Sequence, residues 1–328
     1  MERFDVTIIG GGTTGMYATF YSGLRELKTK LVEASSGFGG KVALFYPDKY
    51  IYDIGGIPGV SGDEIVEQTL KQADTYKPTI IQNEWIEHVV KQSDGTFLLI
   101  GTSGKKHLSK TIILATGNGR FTNVAPALLD PIKDQNVTAL VKELEQYKDK
   151  NVAIFSNNKT GIDWALELSD VAKQVYLFND KVNFQKAKQS DIAHLENSNV
   201  RVSTEVTIEE VVREQSIVKE LIVSDKDSVR KHITIDAILL NNGLNLQAVP
   251  FEKWGLETDK GRIVADTRMA TNVEGVFVSG DAASYPGKTM LIASGYTEAM
   301  TAVNSAKKYL DPKSSEQVYS TVIYRDKK

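Results

Sequence analysis

The 328-residue chain contains no cysteine. Disulfides, thiolate nucleophiles, Cys-x-x-Cys redox chemistry and Cys-ligated zinc or iron–sulfur centres are therefore excluded. Histidine is scarce: His88, His107, His194 and His232 lie far apart, without metal-ligand spacing, and read as solvated or core residues, so no metal site is expected. No apolar run approaches the ~18 residues of a membrane span. The opening MERFDVTIIGGG carries Glu2 and Asp5 directly into a fold rather than a signal peptide, so the expectation is a cytoplasmic protein without membrane contact. Neither charge sign dominates: a net charge of −3 argues against a general basic surface for nucleic acid, although it leaves a local basic patch open. A composition 41% hydrophobic and 25% charged is that of a globular protein, which excludes disordered and fibrous classes. The length suggests about two domains with sizeable cores.

What is present begins at Phe4. A buried apolar strand (Val6, Ile8, Ile9) runs into Gly10-Gly11-Gly12-Thr13-Thr14-Gly15, a helical segment follows, and a second strand ends on Glu33. This is the dinucleotide-binding βαβ pattern in its expected context. Gly10 permits the tight turn, Gly12 lets backbone approach a pyrophosphate, and Gly15 lets the helix pack on the sheet. The phosphates would sit on the helix N-terminus. Glu33, about 20 residues on, would accept hydrogen bonds from the ribose hydroxyls of an adenosine and repel a 2′-phosphate.

After Glu33 a glycine- and proline-rich stretch reads as a long loop, and Ser61 or Asp63 can cap a helix carrying Ile65, Val66, Thr69 and Leu70. Short strands with a turn at Asp94-Gly95 form a β-meander, and Ile112–Leu114 is a buried strand ending in Ala115-Thr116-Gly117. A second α/β unit follows, with a helix expected near Thr138–Tyr147, a strand Val152–Phe155, a helix Thr160–Leu168 and a strand Val175–Phe178. Strands around 200–202, 209–212, 217–223 and 235–240 come next. In the last third an apolar strand ends on Gly280-Asp281, and a helix spans Leu291–Tyr309. Asp281 is placed either to bind a polyol or phosphate or to cap a turn. Trp85, Trp164 and Trp254 read as packing residues.

The Gly10–Gly15 loop with Glu33, the Ala115-Thr116-Gly117 strand end and the Thr271…Gly280-Asp281 motif together resemble the two-dinucleotide-domain flavoproteins that include thioredoxin reductase. FGGKVALFYPDKYIYDIGGIP, KTIILATGNGRF, DWAL, KWGL, GDAASYPGKTMLIASGYTEAMTAVNSAKKYLDPK and QVYSTVIY are similar to the thioredoxin-reductase-type ferredoxin–NADP reductases of bacteria, over essentially the whole chain. The resemblance implies an α/β fold of two Rossmann-like three-layer domains. Residues 1–117 and 245–328 would form a discontinuous FAD domain and residues 118–244 an inserted NAD(P)-type domain, thioredoxin-reductase-like without the redox cysteine pair. It implies bound FAD, electron transfer between NADPH and ferredoxin or flavodoxin, and a homodimer. By position, Thr14, Glu33, Lys41, Tyr46, Ile86, Phe121, Asp281 and Thr321 match the family's FAD contacts. Lys41 stands where the family usually has Gln, Ile86 would act through its backbone, Tyr46 would lie against the isoalloxazine, and Tyr319 would lie over the opposite face. The last helix either presents its N-terminus to the flavin or serves packing, and both can hold.

The inserted domain departs from the family. Where a second Gly-Gly-Gly loop is usual, the chain has Ser156-Asn157-Asn158-Lys159-Thr160-Gly161; where an Arg run clamps the NADPH 2′-phosphate, it has Asn179-Asp180-Lys181, with Gln185 later. Bidentate phosphate recognition is gone and Asp180 would repel the 2′-phosphate. Either Asp180 accepts a ribose diol and the domain prefers NADH, or nicotinamide binding is lost; the missing glycines favour loss. The expected function is thus an FAD-dependent ferredoxin–NADP reductase-type oxidoreductase. The alternatives are a flavoprotein using NADH or reduced directly by ferredoxin or flavodoxin, and a non-catalytic flavin-binding module. Lys41, Lys49, Lys288, Arg325, Lys327 and Lys328 either form a basic rim for ferredoxin or are ordinary surface.

Overall fold

The computed structural model describes residues 1–129, 134–139, 141, 143–226 and 229–315. Tyr319 and Thr321, with Arg325, Lys327 and Lys328, lie outside the described residues. The chain divides into two compact units, one of Met1–Arg120 with the chain from Gln247 on, the other Phe121–Leu246.

In the first unit, β-branched and apolar runs line up as a seven-stranded sheet. Its order is Thr79–Ile81, Thr29–Val32, Arg3–Ile9, Lys106–Leu114, Phe97–Gly101, Ile86–Lys91, with Val276–Val278 also paired to Lys106–Leu114. The long strand Lys106–Leu114 changes partners along its length. Its first half pairs antiparallel with Phe97–Gly101, and Ile112–Leu114 pair parallel with Val276–Val278. One face of the sheet is covered by the helices Thr13–Leu24, Gly62–Ala73 and Ile292–Leu310, sealed by Met16, Tyr21, Leu24, Ala302 and Val303. The other face packs Phe97, Leu99, Phe251, Trp254 and Ile263. Two covered faces explain why Val6, Ile8 and Ile112–Leu114 read as near-continuous apolar runs. Ser61 caps its helix by accepting the Glu64 N–H at 3.2 Å.

The second unit has a five-stranded parallel sheet ordered Val137–Thr138, Ala237–Asn241, Asn151–Ser156, Gln174–Phe178, Arg201–Ser203. Helices Lys159–Ser169 and Gln189–Glu196 supply Ile162, Ala165, Leu168 and Leu195 to one core. The antiparallel strands Thr207–Glu214, Ile217–Ser224 and Arg230–Thr234 close the other face with Val218, Leu221 and Ile233. Among the described residues of the helix expected near Thr138–Tyr147, none is α-helical: Val137 and Thr138 pair with Ile238 and Leu239 at the sheet edge, and Leu144–Tyr147 form a 3₁₀ turn. Sheet pairing of a β-branched pair takes the first residue of the expected helix.

One buried polar pair sits in the first unit's sheet. Lys30 Nζ lies 3.3 Å from His107 Nδ1 and 4.1 Å from the Phe4 ring centroid, with both polar residues buried. Burial, and next the charge of Lys30, hold the His107 imidazole below its ordinary value of 6.5, with Glu84 opposing and Lys105 adding to the shift. The unfolded chain therefore binds a proton at His107 at higher pH than the folded one, so stability falls as pH drops below 6.5. Burial lowers the Lys30 pKa too, but that window lies on the alkaline side. We expect acid to cost wild type up to about 1.4 kcal/mol per pH unit from this residue. Urea unfolding of wild type and His107→Gln between pH 5 and 7 should show a shallower decline in the variant.

Candidate functional site

Four parallel strands of the first unit end together. Ile9 is in register with Val32 on one side and Leu114 on the other, and Leu114 with Val278. The next residues, Gly10, Glu33, Ala115 and Ser279, therefore form one row at the carboxyl edge, where open α/β sheets bind ligands.

Gly10 leaves its strand at φ +108°, which few L side chains adopt, and a Cβ there would strike the Ala115 carbonyl. A Cβ on Gly15 would strike the Gly10 carbonyl, whereas one on Gly12 would meet nothing within 4 Å. Gly10 and Gly15 are demanded by the fold itself; Gly12 opens a space through which a ligand can approach the backbone. Gly12 also caps the helix Thr13–Leu24 without a side-chain hydrogen bond, and no acid stands in the first turn. The positive end of that helix is left for an anion.

Glu33 is held from both sides. Its Oε2 accepts the Gly11 N–H at 2.5 Å and its Oε1 the Ser35 N–H at 2.7 Å, so the carboxylate is fixed with lone pairs left for a vicinal diol. Its own backbone is tied to Ile81 and Glu84, and Glu84, buried, is bound in turn by Ser103. Ile86 opens the strand Ile86–Lys91 at the opposite edge of the sheet, with its side chain buried in the core.

Lys41 and Asp281, 240 residues apart in sequence, form an ion pair at 2.7 Å, each about one-third exposed. Gly280 has φ +69°, and a Cβ on it would lie 2.9 Å from Thr14 Oγ1, while one on Gly295 would strike the same hydroxyl. Thr14 is thus wedged between Gly280 and Gly295 on the helix's first turn. Three polar atoms on this edge, Thr116 Oγ1, Asn118 Oδ1 and Ser279 Oγ, are buried with no hydrogen-bond partner among the described residues. Such atoms are rare, and a polar ligand would satisfy them.

Tyr46 is 47% exposed, with Lys49 Nζ 5.3 Å from its ring centroid. The loop Tyr52–Pro58 lines an open recess of about 580 Å³. Its Ile54 and Ile57 pack with Val42, Ile292 and Tyr296, which sets the recess beside the start of the last helix. Phe121 lies in the strand Arg120–Asn123, within the second unit.

Lys288 corrects the basic-rim expectation. Its side chain is only 9% exposed and its Nζ contacts both oxygens of Glu298, at 2.5 and 2.6 Å. A lysine so buried and paired offers nothing to a protein surface. Glu298, Tyr285, Asn118 and Ser279 were given no site role from sequence, and Thr116 stood out only within the Ala115-Thr116-Gly117 strand end, although Glu298 interrupts the buried stripe Gly295, Ala299, Ala302, Val303, Ala306 of the last helix. An acid on an apolar stripe is the pattern that could have marked it.

The matching loop of the second unit is built differently. Gly161 repeats the role of Gly15, since a Cβ there would strike Ser156. At the position of Gly12 stands Asn158, whose Oδ1 accepts the Thr160 N–H at 3.0 Å and whose Nδ2 donates to the Asn241 carbonyl at 2.8 Å. Gln185 crosses the loop, its N–H donated to Asn157 O and its carbonyl accepting the Lys159 N–H. Lys159 is engaged by Asp163 at 2.6 Å. Asp180 is exposed at the end of its strand and lies 3.3 Å from Lys181, while Asn179, fully buried, ties the turn through Asn183 and Lys181.

The two glycines make separable predictions. Gly15→Ala should cost about 1–3 kcal/mol through overpacking. Gly12→Ala should stay within about 1 kcal/mol of wild type and still lose bound dinucleotide. Calorimetric melting of both variants, with absorbance of the nucleotide released on denaturation, checks this.

A family model described as pyridine nucleotide-disulphide oxidoreductase matches residues 4–306. Ferredoxin–NADP reductase 1 of Bacillus velezensis is 40% identical over 324 residues, covering 98% of this chain and 96% of that protein. The ferredoxin–NADP reductase of Geobacillus kaustophilus is 37% identical over 328 residues, covering 98% and 97%. Among solved structures, thioredoxin reductase from T. acidophilum aligns with a TM-score of 0.53 at 21% identity over 96% of this chain and 100% of that one. The bacillithiol disulfide reductase Bdr (YpdA) from Staphylococcus aureus aligns at 0.55 and 16% identity, over 93% and 98%. These two carry the fold alone, and a chain without cysteine has no thiol for disulfide exchange. The chain belongs to the pyridine nucleotide-disulphide oxidoreductase family, on the branch that carries the bacterial ferredoxin–NADP reductases.

Proposed function

We propose that this chain is an FAD-dependent reductase that exchanges electrons between a reduced pyridine nucleotide and ferredoxin or flavodoxin. The observation that carries it is the contrast on the first unit's edge: an uncapped helix end behind an open Gly12, beside a Glu33 carboxylate fixed for a ribose diol. The buried, unpartnered Thr116, Asn118 and Ser279 fit the same polar ligand. Bound there, FAD supplies the electron exchange that no side chain of this cysteine-free protein offers. The chain's part is placement. The amino end of the helix Thr13–Leu24 and Lys41 hold the pyrophosphate, Glu33 the adenosine ribose, Asp281 the ribityl side. Tyr46 would lie against the ring. Ile86 faces the adenine through its backbone, and Phe121 is assigned to the same cofactor by resemblance, as are Thr321 and Tyr319. Homodimeric assembly and a cytoplasmic site of action belong to the same proposal; no helix among the described residues is long and apolar enough to cross a membrane.

One observation favours a second reading for the electron donor. Ser156, Asn158 and Gly161 form a loop whose helix end is already capped by Asn158, and Asp180 rather than an arginine stands exposed where a 2′-phosphate would lie. Asn158 takes the Thr160 N–H and Gln185 the Lys159 N–H, which a pyrophosphate would otherwise use, and Asp180 repels the extra phosphate of NADPH. This reading predicts poor reduction by NADPH, with NADH preferred or electrons entering directly from a protein donor.

Anaerobic titration with NADPH and NADH separately, following flavin bleaching, distinguishes these. We expect NADPH to be the poorer donor by about tenfold or more, the ordinary scale for loss of one charged contact. Asn158→Gly should speed reduction by NADH. Rapid bleaching of wild type by NADPH overturns the assignment of Asp180. A flavin that dithionite and reduced ferredoxin bleach, but neither nucleotide does, means that the second site has been lost.

A further inference from the structure

The first unit buries an ion pair that neither the glycine loop nor the sheet requires. The side chains of Lys288 and Glu298 are 9% and 4% exposed. Glu298 Oε2 accepts the Gly280 N–H at 2.7 Å, its Oε1 accepts the Tyr285 hydroxyl at 2.6 Å, and Lys288 Nζ donates to both oxygens. Lys288 Nζ also donates to the Gly280 carbonyl at 2.9 Å. Both backbone polar groups of Gly280 are therefore held by the two ends of one buried ion pair. Tyr285 is locked as a neutral donor: burial, then its bond to Glu298 and that carboxylate's charge, push its hydroxyl up to about 12.

Such a pair is weak evidence of added stability, because desolvating two charges offsets most of their attraction. Its value lies in geometry. Gly280 sits at φ +69°, pressed on Thr14 at the amino end of the first helix, and the next residue is Asp281, which meets Lys41. A turn with so little slack transmits any displacement of Gly280 directly to the Asp281 carboxylate.

We infer that Glu298 is a positioning residue for the flavin. With Lys288 and Tyr285 it clamps Gly280 and so sets the Asp281 carboxylate. The inference rests on the FAD reading and on the assignment of Asp281 to its ribityl side. It predicts energetic coupling between two residues that do not touch: once the clamp is broken, Asp281 is no longer aimed and removing its charge has little left to remove.

The test is a double-mutant cycle on FAD affinity, using deflavinated protein reconstituted with FAD and followed by flavin fluorescence. Glu298→Gln and Asp281→Asn should each weaken FAD about tenfold or more, and the double variant should be little worse than either single one. A defect that is only structural would lower the melting temperature of the apoprotein, and its effect on affinity would multiply independently with that of Asp281→Asn. Independent multiplication overturns the inference while leaving FAD binding intact. A wild-type protein that holds no FAD overturns the reading beneath it, and the inference with it. Should Glu298→Gln fail to fold, Tyr285→Phe keeps the ion pair and removes one hydrogen bond; it should give a smaller loss, a few-fold, with the same non-additivity toward Asp281→Asn, and additivity there overturns the inference equally.

Discussion

The shared register of four parallel strands is the constraint on which the site depends. Because Val32, Ile9, Leu114 and Val278 end level, the residues that follow them must leave the sheet side by side. Backbone groups at such an edge have no further strand to pair with, so they need loops, helix ends or a ligand. The chain answers with the Gly10 turn, the uncapped helix Thr13–Leu24, the anchored Glu33 and the left-handed Gly280. Lys41, Asp281 and Thr14 then meet there without a sequence neighbour among them.

The same topology occurs twice in the chain, with opposite endings. In the first unit the helix cap is a glycine that contributes no acceptor; in the second it is Asn158, whose amide binds Thr160 and Asn241 at once. An Asn cap is the ordinary way to stabilise a helix end, worth about 1 kcal/mol over alanine and a few tenths of a kcal/mol over glycine. The first unit forgoes that gain in favour of a ligand-ready end, and the second takes it. Stability of the isolated fold and affinity for a dinucleotide thus compete for the same N–H groups, and the two halves of one chain resolve the competition differently.

What could be read from sequence follows from how local each feature is. The Gly10–Gly15 loop, its helix and Glu33 lie within one βαβ unit, where spacing alone fixes geometry, and the apolar strand of Ile112–Leu114 declares its burial on both faces. Lys41–Asp281 depends on how distant segments dock, and the Glu298 clamp on how the turn before the last helix folds back against it. Lys288 looked like any surface lysine because nothing beside it in sequence reports that Glu298, ten residues on, faces it across a buried turn. At the start of the helix expected near Thr138–Tyr147, Thr138 pairs instead with Leu239, a long-range contact that local periodicity does not report.

Absence of cysteine gives the architecture its direction. In a fold shared with thioredoxin and bacillithiol disulfide reductases, a thiol would let the protein itself carry reducing equivalents between cofactor and substrate. Without one, no thiol of this chain can carry reducing equivalents, and what its residues supply to a bound cofactor is orientation. A buried Glu298–Lys288 pair makes sense under that demand. It adds little to stability, yet it fixes a backbone turn from both its N–H and its carbonyl, which an apolar replacement of equal volume could not do.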